Sequence, residues 1–447
     1  MKHCKGNKMF DYDVIVVGCG PTGLMAVAEL EEKGINVLGI DKKPRLDKNV
    51  RSASGFFFDG LEMNGEHIHL EPLKGKTKIV YTKCGFSIEY SKTMEGIYHT
   101  HIISNSGSHF QATSRKKPLY HLFNPTTWLS DRYKRTKALG VPFMTNTVVL
   151  RAKEINGGVE VTMRTKGKTT SKTCRKLLAS DGLQSRIART LGLNKNRLCF
   201  GKGPTIEYEM INVDCPLDRG DIYVTGENNI GKPGGIFLVP SPRGEGAYRI
   251  ETMSALPGVT AYDIIEFFTK NSSYAKWFKK AETVEKSGAI VEVFTPIKIP
   301  YRGNILLAGD AAAFAECLYQ GATMCGYMAA QAIENELKGK NGFEEYTNWW
   351  NSFFEWNRDP QRMADYPKRT LFLRFFAQDE IDFLFNLSKK HPAVVDEMEV
   401  GVFDYTNAVM DHFLSIPSVP EQLREKIKMV KEAGMDKLAT VISKRQS

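Results

Sequence analysis

The chain has 447 residues and a mass of 50.3 kDa, which exceeds the roughly 250–300 residues at which one hydrophobic core stops growing, so we expect two or three packed units. Apolar residues make up 42% and charged residues 25% of the chain, and the mean hydropathy is −0.31, which argues against a disordered or membrane-spanning protein. The net charge of +10 predicts a surface that attracts phosphorylated cofactors, acidic proteins or an anionic membrane face.

The first element is a short β-branched apolar run, residues 11–18, which leads into a glycine-rich turn. A stretch of helical period follows at residues 24–33, and a second apolar run at residues 36–40 ends at Asp41. This order predicts a strand–turn–helix–strand unit of the kind that binds dinucleotides.

Three glycines in that turn have separate physical roles. Gly18 allows the tight turn, Gly20 lets the backbone approach a pyrophosphate, and Gly23 lets the helix pack closely on the strand. The N-terminus of the helix offers free N–H groups to the same pyrophosphate. Asp41 stands where a carboxylate accepts hydrogen bonds from ribose hydroxyls. The sequence therefore predicts a dinucleotide site, and up to this point it does not distinguish FAD from NAD.

Two later segments are typical of buried strands that end in an aspartate at the carboxyl edge of a sheet. The second of them is followed by Gln320–Thr323, which opens a helix rich in small residues that we predict over Met324–Leu337. The dipeptides at the two strand ends are Asp181-Gly182 and Gly309-Asp310.

Together these motifs resemble the large flavoprotein group that includes p-hydroxybenzoate hydroxylase and, more closely, the geranylgeranyl reductases. The resemblance covers about three quarters of the chain, through Leu337. It implies FAD as the cofactor and an α/β fold: a Rossmann-like FAD-binding domain with a β-meander, a discontinuous α+β substrate domain and a C-terminal helical region. No second full strand–GxGxxG–helix unit follows, so we expect electrons from transiently bound NAD(P)H or from a ferredoxin-like protein.

The resemblance also implies a role for each motif. The glycine turn and Asp41 would hold the ADP half, the Asp181 segment would lie near the pyrophosphate, and Asp310 would bind the ribityl or pyrophosphate part. The helix that starts near Gly321 would direct its N-terminus at the flavin N1–C2=O edge, where negative charge develops on reduction. The residues implied in FAD binding are Gly18, Gly20, Gly23, Asp41, Arg51, Asp181, Gly182, Gly309, Asp310, Gly321 and Ala322.

The segment after Gly309-Asp310 departs from the pattern of the group. The hydroxylases carry an Ala-His and a proline-rich turn there, and the reductases carry Asn-Pro. If the local path is preserved, Glu316, Cys317 and Tyr319 fall near the isoalloxazine ring, where each could donate a proton to substrate, so they are the candidate catalytic residues. The alternative, which stays open, is that Cys317 packs as a small hydrophobe and Glu316 pairs with a buried arginine.

The loop at residues 51–55 resembles one in the reductases where a Cys-Gly pair would stand. Serine and alanine replace that cysteine here, so we expect no redox cysteine on this loop. The adjacent Phe56–Phe58 either lines an apolar substrate channel or packs in the core beneath the flavin.

The positions of the motifs predict three units. Strands between the motif-bearing segments would form a second sheet over the flavin, and a β-meander would cross the parallel sheet. The predicted units are a discontinuous FAD-binding domain at 1–75, 120–190 and 290–345, a substrate domain at 76–119 and 191–289, and a helical region at 346–447.

Other patterns exclude several classes of function. The eight cysteines are scattered without a CxxC pair, which argues against zinc, an iron–sulfur cluster and a secreted disulfide framework. The spacing of His99, His101, His109 and His121 fits strand alternation, so we expect no metal. A basic stretch at 164–176 has no interleaved aromatic residues, so we expect a solvated hairpin and no nucleic-acid partner.

The sequence says less about the cellular location and the oligomeric state of the protein. The start of the chain has no apolar stretch typical of a signal peptide, so we expect a cytoplasmic protein. Aromatic residues with interleaved arginines and lysines at 349–376 suggest a peripheral membrane contact, a lid or a dimer interface. The oligomeric state stays open.

These features lead to one main functional interpretation with two alternatives. The first is an FAD-dependent reductase or dehydrogenase that acts on a C–C double bond of an apolar small-molecule substrate, neutral or anionic. Flavin N5 would supply the hydride and a nearby acid the proton. The second is a flavin-dependent monooxygenase, since fold does not determine reaction. The third is a non-catalytic lipid-binding carrier, against which the intact FAD motifs argue.

Overall fold

The computed structural model describes residues 9–52, 55–225, 230–231, 235–253, 258–394, 405–434, 436–437 and 440. Parts of the predicted units, among them residues 1–8, 395–404 and 441–447, lie outside this range. The strands, in chain order, are β1 Tyr12–Val17, β2 Val37–Ile40, β3 Phe56–Phe57, β4 Glu62–Met63, β5 Glu66–Leu73, β6 Lys76–Tyr81, β7 Phe86–Tyr90, β8 Glu95–Ile97, β9 His99–Ile103, β10 His109–Thr113, β11 Tyr120–Leu122, β12 Phe143–Met144, β13 Thr147–Ile155, β14 Gly158–Thr165, β15 Lys168–Ala179, β16 Cys199–Ile211, β17 Gly220–Val224, β18 Ile236–Pro240, β19 Tyr248–Met253, β20 Glu282–Phe294, β21 Tyr301–Arg302, β22 Ile305–Leu307 and β23 Ala393–Val394.

Helices connect and cover these strands. In chain order they are α1 Pro21–Glu32, α2 Pro125–Ala138, α3 Arg186–Thr190, α4 Ala261–Asn271, α5 Leu318–Leu337, α6 Gly342–Phe353, α7 Glu355–Arg358, α8 Pro360–Leu371, α9 Gln378–Lys390, α10 Tyr405–Ser415 and α11 Glu421–Lys431, with 3₁₀ turns at Ala275–Phe278, Gly309–Ala311 and Phe372–Phe375.

The first sheet has a parallel core of buried strands. Its order is β12-β2-β1-β15-β14-β13, and β22 pairs with β15 and β21. Residues 14–17 of β1 are all buried, as expected for a parallel strand covered on both faces. Ile15 of β1 pairs with Leu177 of β15, and Leu177 pairs with Ile305 of β22. The three motif-bearing strands are therefore neighbours in the sheet. The antiparallel run β13-β14-β15 forms the predicted meander.

A second sheet has the order β20-β16-β19-β18-β17-β9-β10-β23. One of its faces packs on α4, where Ile250 belongs to the same buried cluster as Ile264 and Phe268. Because side chains alternate along a strand, Arg249 and Glu251 point to the opposite face. The architecture confirms the predicted fold class, with an FAD-binding fold, several sheets and a helical C-terminal region.

Strand membership differs in detail from the sequence interpretation. The strands β9 and β10 belong to the second sheet, but β6 and β7 pair in a separate sheet with β4 and β5. That sheet packs beside the FAD-binding fold, since Ile68 and Ile79 belong to the buried cluster of the first sheet. Near the C-terminus, β23 joins the second sheet through parallel pairing with β10.

The aromatic segment after α5 is largely part of the core. Trp350 and Phe354 are fully buried, and Trp356 is 3% exposed. Lys368 is fully buried too, and its Nζ lies 2.9 Å from Asp365 Oδ1, so it does not contribute to a basic surface. The side chains of the other predicted basic residues Arg369 and Arg374 lie outside the description. None of the helices that the structure describes is both long and apolar enough to cross a bilayer.

Candidate functional site

The glycine turn after β1 has the geometry that the sequence predicts. Gly18 has a φ of +90°, and a Cβ there would lie 2.3 Å from the Ser180 carbonyl oxygen. A Cβ on Gly23 would lie 2.0 Å from the Gly18 carbonyl oxygen, so α1 and the turn are packed backbone to backbone. At Gly20, by contrast, no described atom lies within 4 Å of where a Cβ would stand. The turn is therefore closed at two glycines and open at the third.

Asp41 closes the same turn from the end of β2. It is 7% exposed, its Oδ2 accepts a 2.7 Å hydrogen bond from Cys19 N–H, and its Oδ1 accepts one of 2.7 Å from Lys43 N–H. The carboxylate is thus oriented by backbone donors on both sides. Each oxygen retains a further lone-pair direction for a hydroxyl donor.

Asp181 lies at the end of β15 and caps the short helix α3. Its Oδ2 accepts a 2.9 Å hydrogen bond from Arg186 N–H, while its buried Oδ1 has no partner among the described residues. Burial raises the pKa of this carboxyl. Gly182 has a φ of +83°, and a Cβ on it would stand 3.6 Å from the Arg51 guanidinium.

Gly309 and Asp310 connect the third strand end to the first motif. A Cβ on Gly309, whose φ is +63°, would lie 2.4 Å from Thr22 Oγ1 in the first turn of α1. Asp310 Oδ1 accepts a 2.8 Å hydrogen bond from Cys317 N–H. Burial raises the pKa of Asp310, and the nearby Arg51 opposes that change. The three motifs therefore meet at one edge of the sheet.

The helix that follows begins at Leu318, slightly before the predicted opening at Gln320–Thr323. The φ of Leu318, +51°, is unusual for a side chain of this size. The first turn contains Gly321 and Ala322, and a Cβ on Gly321 would lie 2.6 Å from Asn64 Nδ2. The early start places residues 318–322 at the positive end of the helix dipole.

Arg51 connects two acids at this helix end. Its guanidinium lies 3.8 Å from Asp310 Oδ2 and 3.8 Å from Glu316 Oε1. Asn49 Nδ2 donates a 2.7 Å hydrogen bond to the Arg51 carbonyl oxygen, and Asn49 N–H donates one of 3.1 Å to Thr126 Oγ1 in α2. The loop after β2 is therefore tied to α2, which holds the guanidinium between the carboxyls.

Glu316 is the candidate acid whose pKa is raised toward neutral pH. Its side chain is 25% exposed. Burial and the neighbouring Asp310 carboxylate raise the pKa of Glu316 to about 7, against the opposing charge of Arg51. Glu316 pairs with an arginine as one sequence alternative expects, but Arg51 is 43% exposed and not buried. The raised pKa is what a general acid at neutral pH requires. The two interpretations are thus compatible at this residue.

Cys317 and Tyr319 lie in different surroundings. Cys317 is fully buried, and its contact with Cys325 and its burial hold the pKa of its thiol well above the usual value. The Tyr319 ring packs edge-on against Phe123 and Trp128 at centroid distances of 5.1 and 5.4 Å, and burial raises its pKa. Both groups are therefore protonated, well packed and poorly suited to exchange protons with solvent.

Two residues of this region were missed by the sequence interpretation. Asn64 is fully buried with a φ of +54°, donates a 2.9 Å hydrogen bond to the Cys317 carbonyl oxygen and accepts one of 3.2 Å from Trp356 Nε1. The Asn64-Gly65 dipeptide is a turn signal, so the turn was readable although its partner was not. Glu251, in the second sheet, accepts a 2.5 Å hydrogen bond from Ser52 Oγ. No local pattern marks it.

The residues fit FAD on geometric grounds. The open side of Gly20 leaves room for a phosphate at the N-terminus of α1, and the unpartnered Asp181 Oδ1 is a buried polar atom at the same sheet edge. Arg51, Asp310 and the N-terminus of α5 would hold the remainder of the molecule. Among the residues described, no group of three His, Cys, Asp or Glu side chains is arranged to hold a metal ion.

Comparisons with known proteins support FAD as the cofactor. The family described as FAD binding domain matches residues 11–56. The chain is 25% identical over 351 residues to digeranylgeranylglycerophospholipid reductase 2 of Methanosphaera stadtmanae, which covers 76% of this chain and 83% of that protein. A geranylgeranyl bacteriochlorophyll reductase-like structure from Thermoplasma acidophilum has a TM-score of 0.66 at 18% identity, covering 93% of this chain and 99% of that one.

A monooxygenase shares the fold as well. The structure of p-nitrophenol 4-monooxygenase from Pseudomonas putida has a TM-score of 0.55 at 13% identity, covering 97% of this chain and 98% of that one. Fold alone therefore does not separate reductase from monooxygenase. Taken with the three motifs at one sheet edge, these likenesses indicate an FAD-dependent oxidoreductase that is similar in sequence to the digeranylgeranylglycerophospholipid reductases and shares its fold with flavin-dependent monooxygenases.

Proposed function

We propose that the protein is a reductase that saturates carbon–carbon double bonds in the isoprenoid chain of a lipid. Relatives in sequence carry the name digeranylgeranylglycerophospholipid reductase, which supports this substrate class. The observation that carries the reaction type is Glu316, a carboxyl with a pKa of about 7 beside Arg51 and Asp310. Reduction of an unactivated double bond needs a proton source as well as a hydride.

An apolar cluster beside the start of α5 supports an apolar substrate. Phe58 and Tyr120 are buried with Val239, and the partly buried Phe56 and Leu318 pack against them. Phe56 contacts Phe58 and Tyr120 at centroid distances of 5.3 and 5.6 Å. Since Leu318 follows Glu316 by two residues, this cluster adjoins the acid. We propose that part of it forms the wall against which the isoprenoid chain lies.

Glu316 and Arg51 would have separate roles in this reaction. When FAD is bound and reduced, it supplies a hydride from N5. Glu316 donates its proton to the second carbon of the double bond and leaves as a carboxylate. Arg51, 3.8 Å away, stabilises that carboxylate. The electron pair of the hydride forms one new C–H bond, the π electron pair forms the other with the proton of Glu316, and Glu316 regains its proton from solvent.

The electron donor is a separate part of the proposal. We propose NAD(P)H bound transiently or an acidic ferredoxin-like protein, and the net charge of +10 supports an anionic donor of either kind. The lipid would come from a membrane that the surface of the protein contacts.

The experiment uses protein loaded with FAD, reduced anaerobically with dithionite and supplied with a geranylgeranyl-chain glycerolipid. We expect the lipid to gain two hydrogen atoms for each reduced bond. Both should be deuterium when the solvent is D₂O, because dithionite supplies only electrons and the N5 hydrogen of the reduced flavin comes from solvent. A product that has gained an oxygen atom, and that forms only after air is admitted, would support the monooxygenase instead. Lipid that binds and returns unchanged with fully reduced flavin would support the carrier. Either result would refute the reductase proposal.

A further inference from the structure

The backbone that leads to Glu316 is buried, so its carbonyls need hydrogen-bond donors from the protein. We call residues 311–317 the acid-bearing segment; its first five residues are at most 4% exposed. Two of its carbonyls accept hydrogen bonds from backbone N–H groups at the end of β20 and just after it. These bonds run from Ile297 N–H to the Ala312 oxygen, 2.9 Å, and from Phe294 N–H to the Phe314 oxygen, 2.8 Å. The carbonyl between them has its donor elsewhere.

That donor is the guanidinium of Arg197. Its Nη2 donates a 2.5 Å hydrogen bond to the Ala313 carbonyl oxygen, and its Nε donates one of 2.6 Å to the Thr295 carbonyl oxygen. Its Nη1 donates one of 3.2 Å to Asn194 Oδ1, and its central carbon lies 4.9 Å from the centroid of the Phe294 ring. One side chain thus joins the acid-bearing segment to the end of β20.

Arg197 keeps its charge in this position. Burial lowers the pKa of Arg197 to about 10, against the opposing charge of Glu292, so the guanidinium is protonated at neutral pH. Hydrogen bonds from charged donors are stronger than those between neutral groups. No second donor to the Ala313 oxygen occurs in the part of the chain that the structure describes. A buried carbonyl without a donor is unfavourable, so loss of Arg197 would favour a different path for the segment.

The backbone around Arg197 is itself fixed. Arg197 precedes β16 by two residues, and β16 pairs with β20 through Cys199 and Phe294. Thr295 N–H donates a 2.9 Å hydrogen bond to the Leu198 carbonyl oxygen, and Leu198 N–H donates one of 3.0 Å to Thr295 Oγ1. The guanidinium therefore acts from a rigid base where the second sheet meets the FAD-binding fold.

The far end of the acid-bearing segment is held as well. Cys317 N–H donates to Asp310 Oδ1, and the Cys317 carbonyl oxygen accepts from Asn64 Nδ2. Glu316 lies between these anchors and the one at Arg197, with its Oε1 3.8 Å from the Arg51 guanidinium. The place of the carboxyl thus depends on how the backbone is held on both sides.

We propose that Arg197 is a positioning residue that holds the acid-bearing segment so that the Glu316 carboxyl stays beside Arg51 and within reach of the reacting carbon. The inference rests on the proposed function, in which Glu316 donates the proton. Arg197 acts through the backbone at Ala313, three residues before the acid.

The test follows the oxidation of dithionite-reduced FAD by a geranylgeranyl-chain glycerolipid in a single anaerobic turnover. Arg197→Met removes the guanidinium and keeps an apolar stem. We expect its rate to fall about ten- to hundredfold, because displacement of a reacting group by about 1 Å has an effect of this size. KM for the lipid and the affinity for FAD should stay near their wild-type values.

A double-mutant cycle separates positioning from a general structural role. If Arg197 acts through Glu316, Arg197→Met should cause no further loss of rate in the Glu316→Gln background, since the group it positions is already gone. Arg197→Lys, which keeps the charge but lacks the fork that reaches two carbonyls, should show a smaller loss. It provides the same cycle in a variant that keeps the buried cation.

Infrared spectroscopy gives a second measurement that needs no turnover. The C=O band of protonated Glu316, identified by its loss in Glu316→Gln, is recorded in oxidised FAD-loaded protein below the pKa of about 7. In Arg197→Met the band should broaden and move to lower wavenumber, because a carboxyl that leaves its place accepts hydrogen bonds from water.

A matched control is Arg424→Met in the C-terminal helices. Arg424 also holds three backbone oxygens, those of Leu414, Ile416 and Val419, at 2.5, 2.5 and 3.0 Å. Its loss should leave the rate and the Glu316 band as in wild type. A wild-type rate and band in Arg197→Met, or equal losses in Arg424→Met, would overturn the inference.

The outcomes also separate this inference from the proposed function. If Glu316→Gln reduces lipid at the wild-type rate, Glu316 is not the proton donor and the proposed function loses its acid, whereas a changed Glu316 band in Arg197→Met still shows that Arg197 positions this carboxyl. If Glu316→Gln is slow and Arg197→Met lowers its rate as much as that of wild type, the proposed function stands and the role of Arg197 falls.

Discussion

Gly23 and Gly18 touch through their backbones: a Cβ on Gly23 would lie 2.0 Å from the Gly18 carbonyl oxygen. This contact holds the first turn of α1 against the end of β1. Gly20, between the two, faces open space in the protein. Two glycines of one motif therefore exclude a side chain for different reasons. At Gly23 the packed backbone leaves no room for a Cβ, whereas at Gly20 the bound cofactor would occupy that space.

That difference predicts opposite effects of the same substitution. Gly23→Ala should lower the free energy of unfolding of the FAD-free protein by about 2–3 kcal/mol, because the backbone must separate. Gly20→Ala should leave that free energy nearly unchanged but weaken FAD binding at least tenfold, because the methyl group occupies the phosphate position. Urea unfolding and flavin titration measure the two effects. Equal loss of stability in both variants would contradict this assignment.

Glu316→Gln should remove the proton donor and leave FAD bound. In wild type we expect kcat to fall as pH rises through about 7, since Glu316 is protonated below its pKa of about 7. In the variant, the residual rate should be at least a hundredfold lower and should lack this limb. A variant with wild-type rate and pH profile would exclude Glu316 from the mechanism.

The same residue should affect stability with a definite sign. Its pKa is raised to about 7 in the folded protein from an ordinary value of 4.5, so the folded state binds the proton more tightly than the unfolded state. Wild-type stability should therefore fall between about pH 4.5 and 7 and stay lower above that range. Glu316→Gln should be more stable than wild type at pH 8 by about 1–3 kcal/mol and similar at pH 4. Unfolding curves at both pH values provide the measurement.

Arg51→Ala should raise the pKa of Glu316 further, because the guanidinium is the cation that opposes burial there. We expect the alkaline limb of kcat to move to higher pH and FAD to bind about tenfold more weakly. Arg45→Ala is the control, since Arg45 forms an exposed pair with Asp47 on the same loop, with an N–O distance of 2.9 Å. The control should change neither quantity, and a downward movement in Arg51→Ala would contradict the prediction.

Asn64→Ala should cost about 2–3 kcal/mol of unfolding free energy. It removes the hydrogen bonds to the Cys317 carbonyl and from Trp356 and keeps an unfavourable positive φ of 54°. Asn64→Gly should cost about 1 kcal/mol less, because glycine accepts that backbone conformation. Asn146, at a φ of +50° on the surface, provides the control: Asn146→Gly should be neutral or slightly stabilising. Chemical denaturation checks all three.

Much of the cofactor site was readable from local sequence. The turn at Gly18, Gly20 and Gly23 has the expected closed and open positions, and the strand that ends at Asp181 lies between the first strand and the strand that ends at Asp310. Local sequence suffices there because a parallel sheet brings the carboxyl ends of its strands to one edge whatever the intervening chain does. The start of α5 near Gly321 was predicted, but its first residue, Leu318, was not, because a positive φ leaves no residue-type signal.

The surroundings of Glu316 were decided by tertiary structure. Its position two residues before α5 was visible in the sequence, but its titration depends on Arg51, which comes from a distant segment. Ser52 and Glu251 are 199 positions apart, and Asn64 and Cys317 are 253 apart. A carboxyl's pKa is determined by burial and by charges within a few ångströms, which arise only when such segments pack together. Sequence alone thus determined the cofactor class, while tertiary packing determined the surroundings of Glu316, whose Oε1 lies 3.8 Å from the Arg51 guanidinium.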